Sequence, residues 1–311
     1  MKRLIALFAA LIMLCGCSAD KGESAQQPKE KLSVVTTIFP AYDFARQVFG
    51  DTAEVTMLLK PGTESHTYDP TARDIVKIND CDLFIYNGGE SDNWVEGILE
   101  AADGVRTLRM MDAVEAVEEE HAEGMEEETH EHGDTGEAEY DEHIWTSPKN
   151  AADIVESIRI AAEEIAPGNK ALYGETAYKY IGEINALDRE FGELLEGESR
   201  YFIFGDRFPL LYFFREYGLN YYAAFPGCGS ETEPSARTIG FLLDRLDEDA
   251  VRTVFYIELS NRKLADTLAQ EKGLSSKEFH TCHNITAEDF EAGETYVSLM
   301  RRNYEMLKEV L

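Results

Sequence analysis

The 311 residues carry 60 Asp and Glu against 29 Lys and Arg, a formal net charge of −31. A field of that sign repels phosphates and excludes nucleic acid as a partner. Once an N-terminal export segment is set aside, roughly 280 residues remain, enough for two domains of ordinary size.

Lys2 and Arg3 precede the apolar run "LIALFAALIML" (4–14), which gives way to "CGCSADKGES". A basic start followed by so short an apolar run reads as an export signal over 1–16, because it is too short to span a bilayer as a mature helix. The stretch "LCGC" resembles a bacterial lipoprotein cleavage box. That resemblance implies cleavage before Cys17 and acylation of its thiol and amine. Cys15 is the poorer candidate, since the preceding "IML" fits the box badly. Residues 17–30 are small, polar and aperiodic and read as a lipidated tether. The mature chain is expected on the extracytoplasmic face of a bacterial cell membrane, held by lipid. Of the remaining cysteines, Cys81 reads as a small core residue, while Cys228 and Cys282 lie in loop-like contexts where export permits a disulfide.

From Lys31 the pattern is regular. "LSVVTTIF" (32–39) predicts a strand and "AYDFARQVFG" a helix; strand 54–59, helix 70–80 opened by Pro70, strand 82–89, a helix from Asn93 and strand 105–110 follow. Residues 112–142 break the pattern with fifteen acidic residues, no Lys or Arg, and His121, His130 and His132. Apolar periodicity is almost absent there, so the stretch is expected to be mobile and to bury no core. It reads equally well as a solvated linker and as a weak metal collector.

Helix 150–167 comes next, then a long helix over 169–196 with Leu172, Ala177, Tyr180, Ile181, Ile184, Leu187, Phe191 and Leu194 at helical spacing. Alternation then restarts: strand 200–205, helix 208–217, strand 219–225, helix 235–246, strand 252–259, helix 261–273, strand 278–282 and helix 293–311. The predicted class is α/β: two lobes with mainly parallel four-stranded sheets, joined by one long helix. The expected divisions are 31–168 for the N-terminal lobe, 169–197 for the linking helix and 198–311 for the C-terminal lobe. Ligands of such sheets collect at the carboxyl ends of strands, here facing the cleft between lobes.

Four imidazoles stand outside the acidic stretch: His66, His143, His280 and His283. Each sits in a loop or at a strand end, and neutral imidazoles converging on one rim suit a transition metal. "LLKPGTESHTYDPTARDI" and "DEHIWTSPKNA", with an acidic His-rich insert between them, resemble the zinc- and manganese-binding lipoproteins of bacterial ABC metal importers, the adhesin-like cluster of metal solute-binding proteins. "YNGGESDNWVE", "EYGL", "ETEPSARTI" and "TYVSLMRRNYEML" fit the same pattern, so the similarity covers essentially the whole mature chain.

The resemblance implies a buried cation between the lobes, Zn2+ or alternatively Mn2+, captured by a monomer and handed to a membrane permease. His66 matches the family's first ligand and His143 its second. At the third position, where the family has His or Glu, an ungapped count places Arg207, which has no lone pair to offer. A small shift brings in Asp206, which otherwise pairs with Arg207 or Arg215. At the fourth position the count lands near His280 rather than the usual Asp, and a His there favours zinc over manganese. On an extended segment 280 and 282 face one side and 281 and 283 the other, so His283 is the rival if the chain turns. Glu258 is expected behind the ligands, holding an imidazole N–H, or else as a charge ahead of a helix.

Other classes compete. A secreted zinc metallohydrolase would use His66, His143, a carboxylate and an open water position, but no "HExxH" helix is present. "GESDN" and "PGCGSETE" are not nucleophile elbows. Cys228 or Cys282 with His280 or His283 would make a thiol nucleophile. An adhesin is a third reading that no residue argues for specifically.

Overall fold

The computed structural model describes residues 31–63, 68–102, 104–126, 140–227, 233–248 and 251–311. Cys17 and the export segment lie outside the described residues. Among the described residues no helix is long and apolar enough to cross a membrane.

In the first half, β1 (Leu32–Thr36), β2 (Ala53–Met57), β3 (Leu83–Tyr86) and β4 (Thr107–Arg109) form a sheet in the order β2-β1-β3-β4. Every pair is parallel. Parallel neighbours need crossovers, which α1 (Phe39–Phe49), α2 (Ala72–Asp80) and α3 (Asn93–Ala101) supply. Strand alternation decides which face each side chain takes. Val34, Leu83 and Ile85 pack with α1 residues such as Phe44 and Val48. Val35 and Phe84 pack on the other face, with Ile78 of α2 and Val95 of α3. Helix α2 starts two residues later than expected, because Thr71 and Asp74 form a reciprocal capping box.

The second half repeats the order. β5 (Tyr201–Phe208), β6 (Asn220–Pro226), β7 (Thr253–Ile257) and β8 (Ser275–Phe279) run β6-β5-β7-β8, again all parallel. Their crossovers are α6 (Leu211–Tyr217), α7 (Ala236–Glu248) and α8 (Lys263–Lys272). The last strand is "SSKEF", three residues earlier than expected. An edge strand with mostly polar, half-exposed residues leaves no apolar pattern to read, so 280–283 belongs to the loop beyond it.

Between the sheets lie α4 (Pro148–Ile165) and α5 (Lys170–Leu195). The 26 residues of α5 span about 39 Å at helical rise. Its buried stripe is Tyr173, Ala177, Tyr180, Ile184, Leu187, Phe191 and Leu195. Tyr173, rather than the 42% exposed Leu172, takes the first place on that stripe. Tyr173 meets Phe49 of α1, ring centres 5.3 Å apart, and Phe191 meets Phe213 of α6 at 5.0 Å. One helix therefore serves both sheets, and a single buried cluster runs through the two halves.

The chain ends with α9 (Ala287–Ala292) and α10 (Tyr296–Val310). The first of these was not expected; six residues are too few to set a helical period. The buried Asp43 carboxylate accepts bonds from Tyr180 Oη, the Tyr296 amide and Arg46 Nε, joining α1, α5 and α10.

The acidic segment departs from the expected behaviour where it is described. Val117 N donates to Tyr212 Oη at 3.0 Å, Glu126 N to the Ala224 carbonyl at 3.0 Å, and Thr238 Oγ1 to the Gly124 carbonyl at 3.0 Å. Val114, Ala116, Val117 and Met125 pack against the core. Glu118 bridges to Tyr140. Few apolar residues suffice here because the backbone amides find partners on a ready-made surface.

Candidate metal centre

In both sheets the strand order reverses about the first strand, between β1 and β3 and between β5 and β7. Loops leaving such a switch point diverge and open a crevice. A cavity of about 30 Å³ lies there. Arg207 and Pro209 reach it from β5, Ile257 to Leu259 from β7, and Thr281, His283 and Asn284 from β8. Thr63 and His143 close it from the other side.

His143 is 0% exposed, and so is the turn that carries it. The Asp141 carboxylate accepts the His143 amide at 2.7 Å and sits 3.1 Å from Nδ1. A carboxylate on Nδ1 fixes the ring tautomer and puts the donor lone pair on Nε2. Burial pulls the imidazole pKa down, but the charge and hydrogen bond of Asp141, with Glu142 and Glu119 behind, outweigh it and raise the pKa above the ordinary value. Glu142 fixes the loop from beneath. Its carboxylate accepts from the Ser91 amide and hydroxyl, and its carbonyl from Asn87 Nδ2 at 2.8 Å. Gly89 permits this approach, since any Cβ there would run into the Glu142 side chain. Asp92 braces the same loop through the amides of Asn87 and Gly88. Burial pushes its carboxyl up to about 6. The apolar anchor is Trp145, whose indole donates to the Thr281 carbonyl at 2.9 Å and so ties this turn to the loop after β8.

That loop presents His283. Cys282 adopts a left-handed backbone, φ 62°, which turns the chain and brings the 283 side chain round. The His283 ring centre lies 5.1 Å from that of His143 and 5.0 Å from that of Trp145. Glu258 holds the loop by its backbone: Oε2 accepts the Thr281 amide at 2.7 Å, and Oε1 accepts Thr281 Oγ1 at 2.6 Å and the His283 amide at 3.1 Å. Asn284 Nδ2 donates to the carbonyls of Lys60 and Thr63. The stem that leads to His66 is thereby pinned to the same loop; His66 itself lies outside the described residues.

Other expected donors are placed differently. His280 is buried but does not line the cavity. Its Nδ1 accepts the Cys282 amide at 3.0 Å. Its backbone is pinned on both sides by Asn303. Asp206 also misses the cavity, because its carboxylate accepts the amides of Arg207 at 2.8 Å and Ile257 at 3.2 Å. Arg207 lines the wall instead. Glu258 holds peptide N–H groups rather than an imidazole. His121 is exposed beside Arg237, away from this cavity, and His130, His132 and Cys228 lie outside the described residues. Cys282 is a free, buried thiol and Cys81 a half-buried one, pushed up to about 11 by burial. Among the described residues no group of three or more His, Cys, Asp or Glu side chains could hold a metal; two imidazoles meet. Asp141 was missed in the sequence, although a carboxylate two residues before a His was there to be read.

A two-lobed α/β protein with donor side chains converging on a small buried cavity between the lobes has the build of a binding protein for a small solute. The profile of the family described as "ZnuA: Zinc-uptake complex component A periplasmic" matches residues 34–310, and the chain belongs to that family. It is 33% identical to the zinc-binding lipoprotein AdcA of Streptococcus pneumoniae over 99% of its own length, and spans 61% of the length of that relative. It is 31% identical to the high-affinity zinc uptake system protein ZnuA of Bacillus subtilis, over 99% of this chain and 96% of the relative. The crystal structure of the Zn(II)-bound ZnuA-like domain of the pneumococcal AdcA superposes with a TM-score of 0.75 at 30% identity, covering 90% of this chain and 99% of that one. Membership of a family of uptake-complex components removes the metallohydrolase and thiol-nucleophile readings.

Proposed function

We propose that this protein is an extracytoplasmic receptor that captures zinc in the cavity between its lobes and delivers it to the permease of an ABC importer. The observation that carries this reading is the meeting of His143 and His283, from opposite sides of the cavity, with ring centres 5.1 Å apart. Imidazole donors suit zinc, whereas manganese prefers oxygen. The names of the relatives point the same way. The ligand set comprises His143, His283 and His66, with Asp141 orienting the first. A cation shared by both rims ties the lobes together, and the permease reads that tied state. The receptor acts as a monomer, anchored by lipid on Cys17. The exposed His121, with His130 and His132, makes the acidic segment a weak collector that raises the local cation concentration.

Competition against a chromophoric chelator tests the reading. Purified protein should take up one tightly held zinc, prefer it to manganese, and lose that uptake on His143→Ala. Equal affinity for manganese, or an unchanged His143→Ala variant, would overturn it.

A further inference from the structure

The acidic segment leaves the N-terminal half after a short turn at Met110–Ala113 and returns to it at Asp141. Its described limb, residues 114–126, is nevertheless fixed to the C-terminal half. Near its root, Val117 N donates to Tyr212 Oη of α6 at 3.0 Å, and Arg215 of the same helix pairs with Glu120. At the far end, Glu126 N donates to the Ala224 carbonyl of β6 at 3.0 Å, and the Glu126 carboxylate accepts the Ser235 amide just ahead of α7. Thr238 Oγ1 of α7 donates to the Gly124 carbonyl at 3.0 Å. Gly124 has φ 87° and lies so close to Phe241 that a Cβ would run into the ring. The limb is tied to the ligand loop as well. Asp141 N donates to the Val117 carbonyl at 2.9 Å, and the Tyr212 hydroxyl that accepts Val117 N donates to the Asp141 carbonyl at 2.8 Å. One buried hydroxyl therefore joins α6, the limb and the residue whose carboxylate meets His143 Nδ1.

Six of the thirteen residues 114–126 are Glu. So acidic a run favours a solvated chain, and ordering it costs backbone entropy. Hydrogen bonds of modest net strength oppose these costs, which makes the docking reversible. We propose that residues 114–126 form a reversible clasp between the lobes, and that Tyr212 is a positioning residue through which the docked clasp steadies Asp141 and, through it, His143. The inference rests on the zinc-receptor reading and deepens it, since it gives the clasp a part in keeping the ion. Both ends of the segment belong to the N-terminal half, so the lobes separate fully only when the anchors on β6 and α7 let go. Undocking also loosens the Asp141 backbone. The clasp thus slows zinc release more than it affects capture.

The test uses the full mature chain. Amide exchange is followed by NMR at Val117 and Glu126 in the metal-free protein, and zinc release is timed against excess chelator. In the wild type both amides should be protected. Gly124→Val sets a Cβ against Phe241, at a position that touches no proposed ligand. It should strip protection from the Glu126 amide and speed zinc release about tenfold, the lower end of the range for groups that support a metal ligand. Tyr212→Phe keeps the ring and removes the hydroxyl. It should lower zinc affinity about tenfold and shift the visible bands of the cobalt-loaded protein, whereas Tyr173→Phe, a purely structural change on α5, should leave those bands in place. Unprotected amides in the wild type would overturn the proposal. So would unchanged release from a variant whose Glu126 amide has lost protection, or wild-type cobalt bands in Tyr212→Phe. If Gly124→Val keeps the amide protected, the Gly124→Val/Thr238→Val pair takes its place, and protection that persists there counts against a reversible clasp. Absence of tight zinc uptake by the wild type would instead remove the receptor reading, while the amide protection, measured without metal, still reports whether the limb docks.

Discussion

On the N-terminal side of the cavity the side chain of the proposed donor is itself held, while on the C-terminal side the backbone beneath the proposed donor is held. His143 has a carboxylate on its Nδ1, a buried Glu142 under its loop and a buried Trp145 beside it. His283 depends on a left-handed Cys282 and on Glu258, which grips two backbone amides of the turn. The first arrangement fixes a tautomer and an orientation before any ion arrives. The second fixes a chain path, and the imidazole follows from it. Side-chain chemistry should control one rim and backbone geometry the other.

The sharpest way to break this contrast is to remove the donors. His143→Ala and His283→Ala should each lower zinc affinity more than about 100-fold, beyond the range for supporting residues. His280→Ala should leave the folded protein within about tenfold of wild type, a supporting residue's lower bound. Chelator competition on the three proteins decides, and full affinity in either of the first two would end the idea of a shared ion.

The supporting carboxylates should separate next. Asp141→Asn should cost about 10- to 100-fold in affinity and lower the melting temperature less than a change at Glu258, because its carboxylate holds the ring and a single backbone amide. Glu258→Gln should lose affinity and also melt several degrees lower, since charge-assisted bonds to buried amides are worth about 1.5–3 kcal/mol. Equal melting temperatures for the two variants would dissolve the distinction.

Acid should act on the two states in opposite directions. Zinc needs neutral imidazole, and the raised pKa of His143 makes release begin above the ordinary imidazole range as pH falls. In the metal-free protein a folded-state pKa above the unfolded value means that the folded chain binds more protons. His143 and Asp92, the latter at about 6, therefore contribute stability that is complete at low pH and lost as pH rises through their folded values. Between pH 7.5 and 5.5 the metal-free melting temperature should rise while zinc affinity drops. Parallel trends in thermal melts and titrations would contradict this.

The smallest effect lies on the helix that joins the two rims. Gly182 is exposed within α5 and has open space where a Cβ would sit. Gly182→Ala should add about 0.5–1 kcal/mol of stability and leave zinc affinity unchanged. A changed affinity would show that α5 bends during capture.

The first seven strands could be read in the sequence, as could the long helix, because apolar periods of 2 and 3.6 residues are local properties. His143 was legible too: the apolar pair Ile144-Trp145 marks where the acidic stretch becomes folded. Which of His280 and His283 lines the cavity was not legible, since a shift of one residue at a strand end exchanges faces, and β8 carries a polar edge sequence that hides its end. A register irregularity in β5 between Phe204 and Arg207 did the same to the third position, turning Asp206 to the backbone and Arg207 to the cavity wall. The docked ends of the acidic segment were equally invisible, because their partners are amides and hydroxyls on a surface assembled from distant residues.

The sequence alone determined which elements form and which donor types are on hand, since both follow from side-chain pattern and chemistry along the chain. Tertiary structure decided which of those donors meet. A bulge, a left-handed residue and the end of an edge strand set the direction of each side chain at the cavity, and all three depend on neighbours far away in the chain.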